Sequence, residues 1–351
     1  MMNVGLIGVG LVGKELLSQI GRLNGVQVVG AMNSKRMILR SGVSAAEIEK
    51  LLSQLDQTQA ADLQGFVGQF ASSYTEGVKV LVDCTSDERV ASCYPEWLKQ
   101  GFHVVTPNKK AFSGNLSLYK EILAASQKYN RFCYHESTVG AGLPVVETLK
   151  SLVQTGDKIV KVEGIFSGTL SYLFNNFSST SPKEKVSFSD IVKVAKEKGF
   201  TEPDPRDDLN GLDVARKVTI LGRIAGLDIS LETLDIENIV PEQLRSLGTA
   251  SEFMSHLPEF DSHFDQLNSE AASQNQVLRY VGMIGGDGTG SVKLTRYSAE
   301  HPFASLTGSD NIVAFTTERF PSPLIIQGAG AGSSVTVFGI LSDLLKIQER
   351  A

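Results

Sequence analysis

Short apolar runs alternate with segments of helical periodicity along the first 135 residues. The continuous apolar runs are typical of buried strands, and the segments 11–23 and 115–128 carry apolar residues at helical spacing. The strands are predicted over residues 3–8, 26–32, 78–85, 102–108 and 131–134. Because strands that alternate with helices favour a parallel sheet with helices on both faces, this part of the chain is predicted to be α/β.

The pattern changes after about residue 155. Residues 227–275 are polar and acidic and predict a helix-rich connection. Helices are predicted over 169–177, 188–198 and 208–226, and strands in IVKVEGIFSG, VLRYVGMIG, SVKLTRYSA, IVAFTTERF and PLIIQG. Strands that follow one another with turn signals between them indicate an antiparallel sheet, so a second domain of α+β type is expected.

Composition and charge exclude several classes of function. Of the 351 residues 42% are hydrophobic and 21% charged, and the net charge is −6, so no electrostatic binding of nucleic acid is expected. No apolar run approaches the roughly 18 residues of a membrane span, and the N-terminus lacks the basic start of a signal peptide. Cys84, Cys93 and Cys133 match no zinc spacing and favour reduced thiols. We therefore expect a cytoplasmic protein without a membrane partner.

A glycine-rich turn joins the first strand to the first helix. It reads GxGxxG and consists of Gly8, Val9, Gly10, Leu11, Val12 and Gly13. The first glycine allows a tight turn, the second lets the backbone approach a pyrophosphate, and the third lets the helix pack on the strand. The helix N-terminus then faces the phosphate charge. This context predicts dinucleotide binding; the alternative is a turn that binds nothing.

The end of the second strand indicates which dinucleotide is bound. An enzyme that uses NAD usually places an acid there for the ribose hydroxyls, whereas this strand continues through Asn33 to Lys35 and Arg36. Two cations suit a 2′-phosphate, so NADP is the predicted cofactor and NAD stays possible; alternatively, both cations face solvent. The loops with Thr85, Ser86 and Lys109 follow other strand ends and suit the same cofactor.

The stretch TEPDPRDDLNGLDVARK, residues 201–217, gathers five acidic and three basic residues. Asp213 and Lys217 are four residues apart and therefore lie side by side on a helix. Glu202 and Asp208 bracket a stiff, proline-containing loop that suits an ammonium ligand. Reduction of a carbonyl needs a proton donor, and a lysine held by a carboxylate can supply it. The alternative is a surface ion pair that contributes about 0.3–0.5 kcal/mol.

Histidines offer a rival source of acid–base chemistry. His103 lies beside a strand, His135 precedes Glu136, and His301 lies in HPFASL. Dehydrogenases of 2-hydroxy acids often use a His–Asp pair, but none of these histidines has a clear partner. Structural or surface roles are therefore favoured for them.

Seven motifs, in this order, resemble those of the homoserine dehydrogenase family: GVGLVG, VDCTS, GFHVVTPNKKA, TVGAGLPV, GIFSGTLSY, KGFTEPDPRDDLNGLDVARK and QGAGAG. They extend from Val4 to the C-terminal helix. The chain is most similar to the dehydrogenase half of bifunctional aspartokinase–homoserine dehydrogenases and to the short fungal enzymes. The resemblance implies reversible NAD(P)-linked interconversion of L-aspartate 4-semialdehyde and L-homoserine, in the synthesis of threonine, methionine and isoleucine.

The resemblance also implies roles for individual residues. Lys217 is implied to be catalytic, Asp213 its partner and a substrate ligand, and Glu202 and Asp208 substrate-binding carboxylates. The implied cofactor contacts include Lys109, Thr85, Gly199 and Gly332. A monovalent cation, in most members sodium, is implied at Glu136 and at the backbone carbonyls of Val139, Ala141 and Leu143.

The implied architecture has a Rossmann-type doubly wound parallel sheet at 1–150, to which the helix 331–351 returns. Residues 151–330 are the implied substrate and dimerisation domain with a mostly antiparallel sheet, whose segments 155–168 and 276–327 form a homodimer. Neither an aspartokinase half nor an ACT regulatory domain is expected. Two alternatives stay open: another amino-acid dehydrogenase, of saccharopine or aspartate type, which would lack the Asp213–Lys217 geometry, and a non-catalytic NADP(H) sensor.

Overall fold

The computed structural model describes residues 1–40, 47, 48, 50, 59–179 and 186–351. The chain divides into two compact units, Met1–Pro144 together with Gly332–Ala351, and Val145–Ala331. The boundary predicted at residue 150 falls inside the helix Val145–Gln154, so the division lies at the start of that helix instead. Within the described residues, no helix is both long and apolar enough to cross a membrane.

The first unit contains a seven-stranded sheet. Its strands are β1 Met2–Ile7, β2 Val26–Met32, β3 Arg36–Leu39, β4 Gln59–Ala60, β5 Val78–Asp83, β6 His103–Val105 and β7 Cys133–Tyr134. They lie in the order β4-β3-β2-β1-β5-β6-β7. Every pairing from β2 to β7 is parallel, whereas β3 pairs antiparallel with both β2 and β4. The predicted parallel α/β sheet is confirmed, with an antiparallel edge.

Helices cover this sheet. They are α1 Leu11–Gln19, α2 Leu63–Ser73, α3 Glu88–Ala91, α4 Tyr94–Lys99, α5 Lys110–Ser113, α6 Leu116–Tyr129 and the C-terminal helix α14 Ser333–Arg350. The core joins Val4 and Leu6 of β1 to Ile340 and Leu344 of α14. The C-terminal helix therefore belongs to the core of the first unit.

No element was predicted between residues 33 and 77, where the structure has β3, β4 and α2. Helix α2, LQGFVGQFASS, contains Gly65 and Gly68 in its interior, and glycine lowers helix propensity by about 1 kcal/mol per residue relative to alanine. Burial of Phe66, Val67 and Phe70 accompanies its formation. Tertiary packing thus outweighs local propensity in this helix.

A six-stranded sheet forms the centre of the second unit. Its strands are β8 Ile159–Ile165, β9 Asp235–Ile236, β10 Gln276–Gly285, β11 Gly290–Ser298, β12 Asp310–Thr317 and β13 Leu324–Ala329. The order is β13-β12-β8-β10-β11-β9, and only the short pairing of β9 with β11 is parallel among the described strands. The predicted, mostly antiparallel sheet is therefore confirmed.

The helices of the second unit are α7 Val145–Gln154, α8 Gly168–Phe177, α9 Phe188–Glu197, α10 Arg206–Leu209, α11 Leu212–Ile224, α12 Ala250–His256 and α13 Asp261–Ser273. The prediction of a single helix over 208–226 is wrong, because Gly211, with φ of +78°, separates α10 from α11. A Cβ atom at Gly211 would overlap the hydroxyl of Tyr280. The Asn210 side chain accepts a hydrogen bond from the Leu212 amide at 2.8 Å and stabilises the break.

Candidate active site

A cleft of about 1000 Å³ lies in the first unit, at the carboxyl ends of β1, β2 and β5. Because β2 and β5 flank β1 on opposite sides, the cleft is at the point where the strand order reverses. Ligands of open α/β sheets bind at such points. The lining residues are Ile7, Gly8, Val9, Gly10, Met32, Asn33, Ser34, Ala61, Leu63, Cys84, Thr85, Ser86, Asp87, Arg89 and Val90.

The glycine-rich turn forms the floor of this cleft. Gly8 has φ of +92°, and a Cβ atom there would lie 2.7 Å from the methyl group of Thr85. At Gly10 no atom lies within 4 Å of the corresponding position. Gly10 also caps α1 without a side-chain hydrogen bond, so the helix N-terminus can bind an anion. The turn is therefore shaped for close approach of a ligand to the backbone.

Asn33 shapes the turn between β2 and β3. Its Oδ1 accepts hydrogen bonds from the amides of Lys35 and Arg36, both at 2.8 Å. The cleft is lined by Asn33 and Ser34, while Lys35 is exposed and Arg36 half-buried beyond the lining residues. The turn thus supplies no carboxylate where a ribose would be bound and carries two adjacent cations.

Arg89 also lines the cleft and was not predicted from the sequence. Its guanidinium lies 2.7 Å from Asp87, and its side chain is 91% exposed. The hydrogen bonds from Arg89 lower the pKa of the Asp87 carboxyl. The sequence feature that could have identified Arg89 is its position shortly after the strand-end residues Thr85 and Ser86. Lys109, half-buried, directly precedes α5 at the end of another strand-end loop.

The predicted cation ligands lie in one buried loop of the first unit. Glu136 begins a 3-10 turn and is 4% exposed, and its amide donates to Asp343 Oδ2 at 2.9 Å. Lys346 Nζ lies 3.7 Å from Glu136 Oε2 and 3.3 Å from Asp343 Oδ1. Helix α14 therefore holds the start of this loop.

The rest of the loop has an irregular backbone. Gly140 and Ala141 have φ of +75° and +54°, in the left-handed region. The Leu143 amide donates to the Gly140 carbonyl at 2.9 Å. The carbonyls of Val139, Ala141 and Leu143 accept no hydrogen bond from any described residue. Oxygen donors of this kind suit a hard cation.

Lys217 is the central charged residue of the second unit. It is 8% exposed, donates to the Phe166 carbonyl at 2.6 Å and lies 2.7 Å from Asp213 Oδ2. The Asp213 side chain is 50% exposed. Lys217 is therefore not part of an ion pair in which both side chains are exposed to solvent, because its ammonium group is held inside the unit.

Asp208 connects the acidic loop to helix α8. Its Oδ2 accepts from the Glu202 amide at 2.8 Å, and its Oδ1 accepts from the Thr169 hydroxyl at 2.9 Å. The same Thr169 hydroxyl lies 2.5 Å from the Phe200 carbonyl, so its single proton is shared between the two oxygens. Burial raises the pKa of the Asp208 carboxyl, and the charges of Glu202 and Asp213 raise it further. Thr169 was missed as a site residue, although it lies in the motif GIFSGTLSY.

The histidines take structural positions. His103 Nδ1 accepts the Phe132 amide at 3.0 Å and so links β6 to the segment before β7. Burial, with a smaller effect of Arg131, lowers its pKa to about 4. His301 Nδ1 accepts from the Phe303 amide at 3.1 Å. These contacts favour the structural interpretation of both rings.

The remaining predicted cofactor glycines end or precede helices. Gly199 follows α9 in the second unit with φ of +71°, and Gly332 precedes α14 in the first unit with φ of +107°. Both are exposed, and no atom lies within 4 Å of a Cβ position at either. Their contacts with a cofactor stay predictions.

Comparison with known proteins gives two family matches. Residues 144–345 match the family described as homoserine dehydrogenase, and residues 8–136 match the homoserine dehydrogenase NAD binding domain. The chain is 44% identical over 362 residues to homoserine dehydrogenase of Schizosaccharomyces pombe, covering 99% of this chain and 96% of that protein.

Two further similarities extend over nearly the whole chain. It is 47% identical over 358 residues to the chloroplastic bifunctional aspartokinase/homoserine dehydrogenase 1 of Arabidopsis thaliana, covering 99% of this chain but only 38% of that protein. A crystal structure of a Candida auris protein superposes with a TM-score of 0.93 at 43% identity, covering 99% of this chain and 98% of the other.

Proposed function

This chain belongs to the homoserine dehydrogenase family, and we propose that it catalyses the reversible NAD(P)H-dependent reduction of L-aspartate 4-semialdehyde to L-homoserine. The observation that carries the proposal is the buried ammonium group of Lys217, held by Asp213 and the Phe166 carbonyl. A carbonyl that is reduced to an alcohol needs a proton at its oxygen, and a fixed ammonium group can donate it. The reaction belongs to the synthesis of threonine, methionine and isoleucine.

The charged residues of the second unit have different proposed roles. Lys217 donates a proton to the aldehyde oxygen during reduction and takes it back in the reverse direction. Asp213 orients the ammonium group and balances its charge. Glu202 and Asp208 bind the ammonium group of the amino acid, because a small zwitterion has little apolar surface with which to bind. When bound, the dinucleotide would supply or accept the hydride.

Residues of the first unit would hold that dinucleotide. The space over Gly10 and the cleft of about 1000 Å³ fit a ligand of this size, and the N-terminus of α1 suits its pyrophosphate. Thr85 and Ser86 line the same cleft. Lys109 would add positive charge for the cofactor. The absence of an acid at Asn33, followed by two cations, supports NADP over NAD.

The loop at Glu136 would hold a monovalent cation, which we propose to be sodium. A buried carboxylate and three backbone carbonyls that lack protein donors fit a hard cation. Such an ion would fix the loop through its ligands Glu136, Val139, Ala141 and Leu143. We further propose that the protein is a homodimer formed through the sheet of the second unit.

The competing functions lack support from particular residues. A dehydrogenase of saccharopine or aspartate type was expected to lack the Asp213–Lys217 geometry next to the cofactor; the pair itself is formed, with 2.7 Å between Lys217 Nζ and Asp213 Oδ2. A sensor without catalysis would have no need for a buried, paired lysine beside an acidic loop.

An assay tests the reaction. The purified protein is mixed with L-homoserine and NADP+ at alkaline pH, then with NAD+, and absorbance of the reduced nicotinamide is followed. Absorbance is expected to rise when L-homoserine and an oxidised cofactor are both present, and turnover is expected to be faster with NADP+ than with NAD+. Lys217→Ala should lower kcat by roughly two to four orders of magnitude, the usual effect of a placed acid, with unchanged affinity for NADPH.

The matched control is Arg216→Ala, which removes the neighbouring cation on the same helix and should leave kcat within a factor of two or three. Absence of turnover in the native protein would reject the proposed reaction. Full turnover in Lys217→Ala would reject only the proton donor. A loss of NADPH affinity in that variant would assign the lysine to cofactor binding instead.

A further inference from the structure

The last residue of strand β5, Asp83, is a fully buried acid that the proposed mechanism does not use. Its Oδ1 accepts the Thr85 amide at 2.7 Å. Its Oδ2 accepts the Tyr94 hydroxyl at 2.5 Å and the Asn108 side-chain amide at 3.0 Å. All three donors are neutral, so among the described residues the negative charge is stabilised by hydrogen bonds rather than by an ion pair. Burial raises the pKa of this carboxyl, and the hydrogen bonds oppose that effect.

Two of the three partners of Asp83 come from strand-end loops, and the third, Tyr94, is the first residue of helix α4. The first, Cys84–Asp87, follows β5 and contains Thr85 and Ser86, which line the cleft. The second, Thr106–Lys109, follows β6 and ends at Lys109. Since β5 and β6 are adjacent and parallel, both loops leave the same edge of the sheet.

Further contacts tie the loops to each other around the same residue. The Thr106 hydroxyl donates to the Asp83 carbonyl at 2.7 Å and accepts the Asn108 amide at 2.9 Å. The Asn108 side chain donates to the Asp87 carbonyl at 3.1 Å and accepts the Lys110 amide at 3.1 Å. The two loops therefore cannot move independently without breaking hydrogen bonds to a buried carboxylate, which is costly.

We propose that Asp83 is a positioning residue for the dinucleotide: its carboxylate fixes the loops Cys84–Asp87 and Thr106–Lys109 in the conformation that binds the cofactor. This inference rests on the proposed cofactor binding of the first unit. Fixing both loops before binding lowers the entropy lost when the cofactor is bound. Loss of Asp83 should therefore weaken the cofactor complex without affecting the amino-acid substrate.

Asp83→Asn is the sharpest variant, because it keeps the shape of the side chain. An amide has only one oxygen, so its NH₂ group must face either the Thr85 amide or the Asn108 NH₂ group, donor against donor. We expect the Kd for NADPH, measured by fluorescence titration well below Tm, to rise tenfold or more. The KM for NADPH should rise similarly, while the KM for homoserine stays within a factor of two. Tyr94→Phe, which removes one donor, should raise the Kd by a smaller factor.

The control is Asn3→Ala, which removes a buried polar group from strand β1 at the amino edge of the same sheet, opposite the cleft. Asn3 donates to the Glu76 carbonyl at 3.1 Å and accepts from the Gln27 side chain, so its loss should lower Tm while the Kd for NADPH stays within twofold. Hydrogen exchange at Thr85 and Asn108 should accelerate only in the Asp83 and Tyr94 variants.

Three outcomes overturn the inference. One is unchanged NADPH affinity in Asp83→Asn and Tyr94→Phe. Another is a parallel rise of both KM values, which would indicate general loosening of the fold. A third is an equal loss of affinity in Asn3→Ala. If the native protein binds neither NADPH nor NADH, the proposed cofactor binding fails together with this inference, whereas native binding with unaffected variants rejects only the role of Asp83.

Discussion

Asp208 combines a proposed role in substrate binding with a cost in stability. Its carboxylate accepts two hydrogen bonds, yet burial and the charges of Glu202 and Asp213 raise its pKa. An acid whose pKa is raised by folding binds its proton more tightly in the folded state than in the unfolded state. The folded state is therefore penalised as the pH rises above the unfolded-state value of about 3.9, and the penalty is complete above the folded-state pKa.

Asp208→Asn should therefore raise stability at neutral pH and weaken substrate binding. The amide oxygen can accept the Glu202 amide, and the NH₂ group can donate to the Thr169 hydroxyl, whose own proton goes to Phe200. We expect Tm at pH 7 to rise by about 1–3 °C. The KM for homoserine should rise about 10- to 100-fold with the loss of a charged partner.

Thermal melting from pH 4 to pH 8 checks the sign, because the difference in Tm should shrink towards pH 4. The exposed neighbour supplies the control, and Asp207→Asn should change neither Tm nor KM appreciably. The assigned cost in stability would be contradicted if the Tm of Asp208→Asn, relative to that of the native protein, were lower at pH 7 than at pH 4.

At the scale of elements, the loop Glu136–Leu143 joins β7 to the second unit and is held at its start by α14. Its two consecutive left-handed residues, Gly140 and Ala141, are unusual because alanine seldom adopts a positive φ. Such strain persists only where surrounding contacts fix it. A bound cation would supply contacts of this kind to the carbonyls on either side.

We therefore expect sodium to stabilise the protein through this loop. Replacing choline chloride by sodium chloride at equal ionic strength should raise Tm, since an ion that binds only the folded state adds about 1.4–2.7 kcal/mol at ten- to hundredfold excess over its Kd. Glu136→Gln should abolish the difference. Glu121→Gln, an exposed acid of α6, should retain it, and a sodium effect that survives in Glu136→Gln would refute the site.

At the scale of the whole molecule, the antiparallel sheet of the second unit ends in β13, and the other edge strand, β9, has only two residues. Ile325 on β13 is 38% exposed, and Phe320 just before it is 41% exposed. An exposed edge strand with apolar side chains is a template for association. This edge supports the proposed homodimer.

Sedimentation equilibrium tests that assembly. The native protein should have twice the mass of one chain at micromolar concentration, and Ile325→Lys should shift it towards the monomer, because a buried unpaired charge opposes association. Leu123→Lys, which adds the same charge at an exposed leucine of α6, should stay dimeric. A native monomer would refute the proposal, and a dimer in Ile325→Lys would exclude this edge from the interface.

Local periodicity determined a large part of this protein. The glycine turn after β1, the strand Val26–Met32 and the i,i+4 spacing of Asp213 and Lys217 follow from neighbouring residues, because backbone geometry and side-chain period act over a few positions. The same reasoning failed at Gly211, where a left-handed residue packed against Tyr280 divides one predicted helix into two.

Tertiary structure alone decided what surrounds the charged groups. Lys217 is buried against the carbonyl of Phe166, Asp208 contacts Thr169, and Asp83 accepts a hydrogen bond from the side chain of Asn108. These partners lie 25 to 51 positions apart in the chain, so no local pattern brings them together. Packing of sheets and helices creates these contacts, and burial then gives each charge its hydrogen bonds and its pKa.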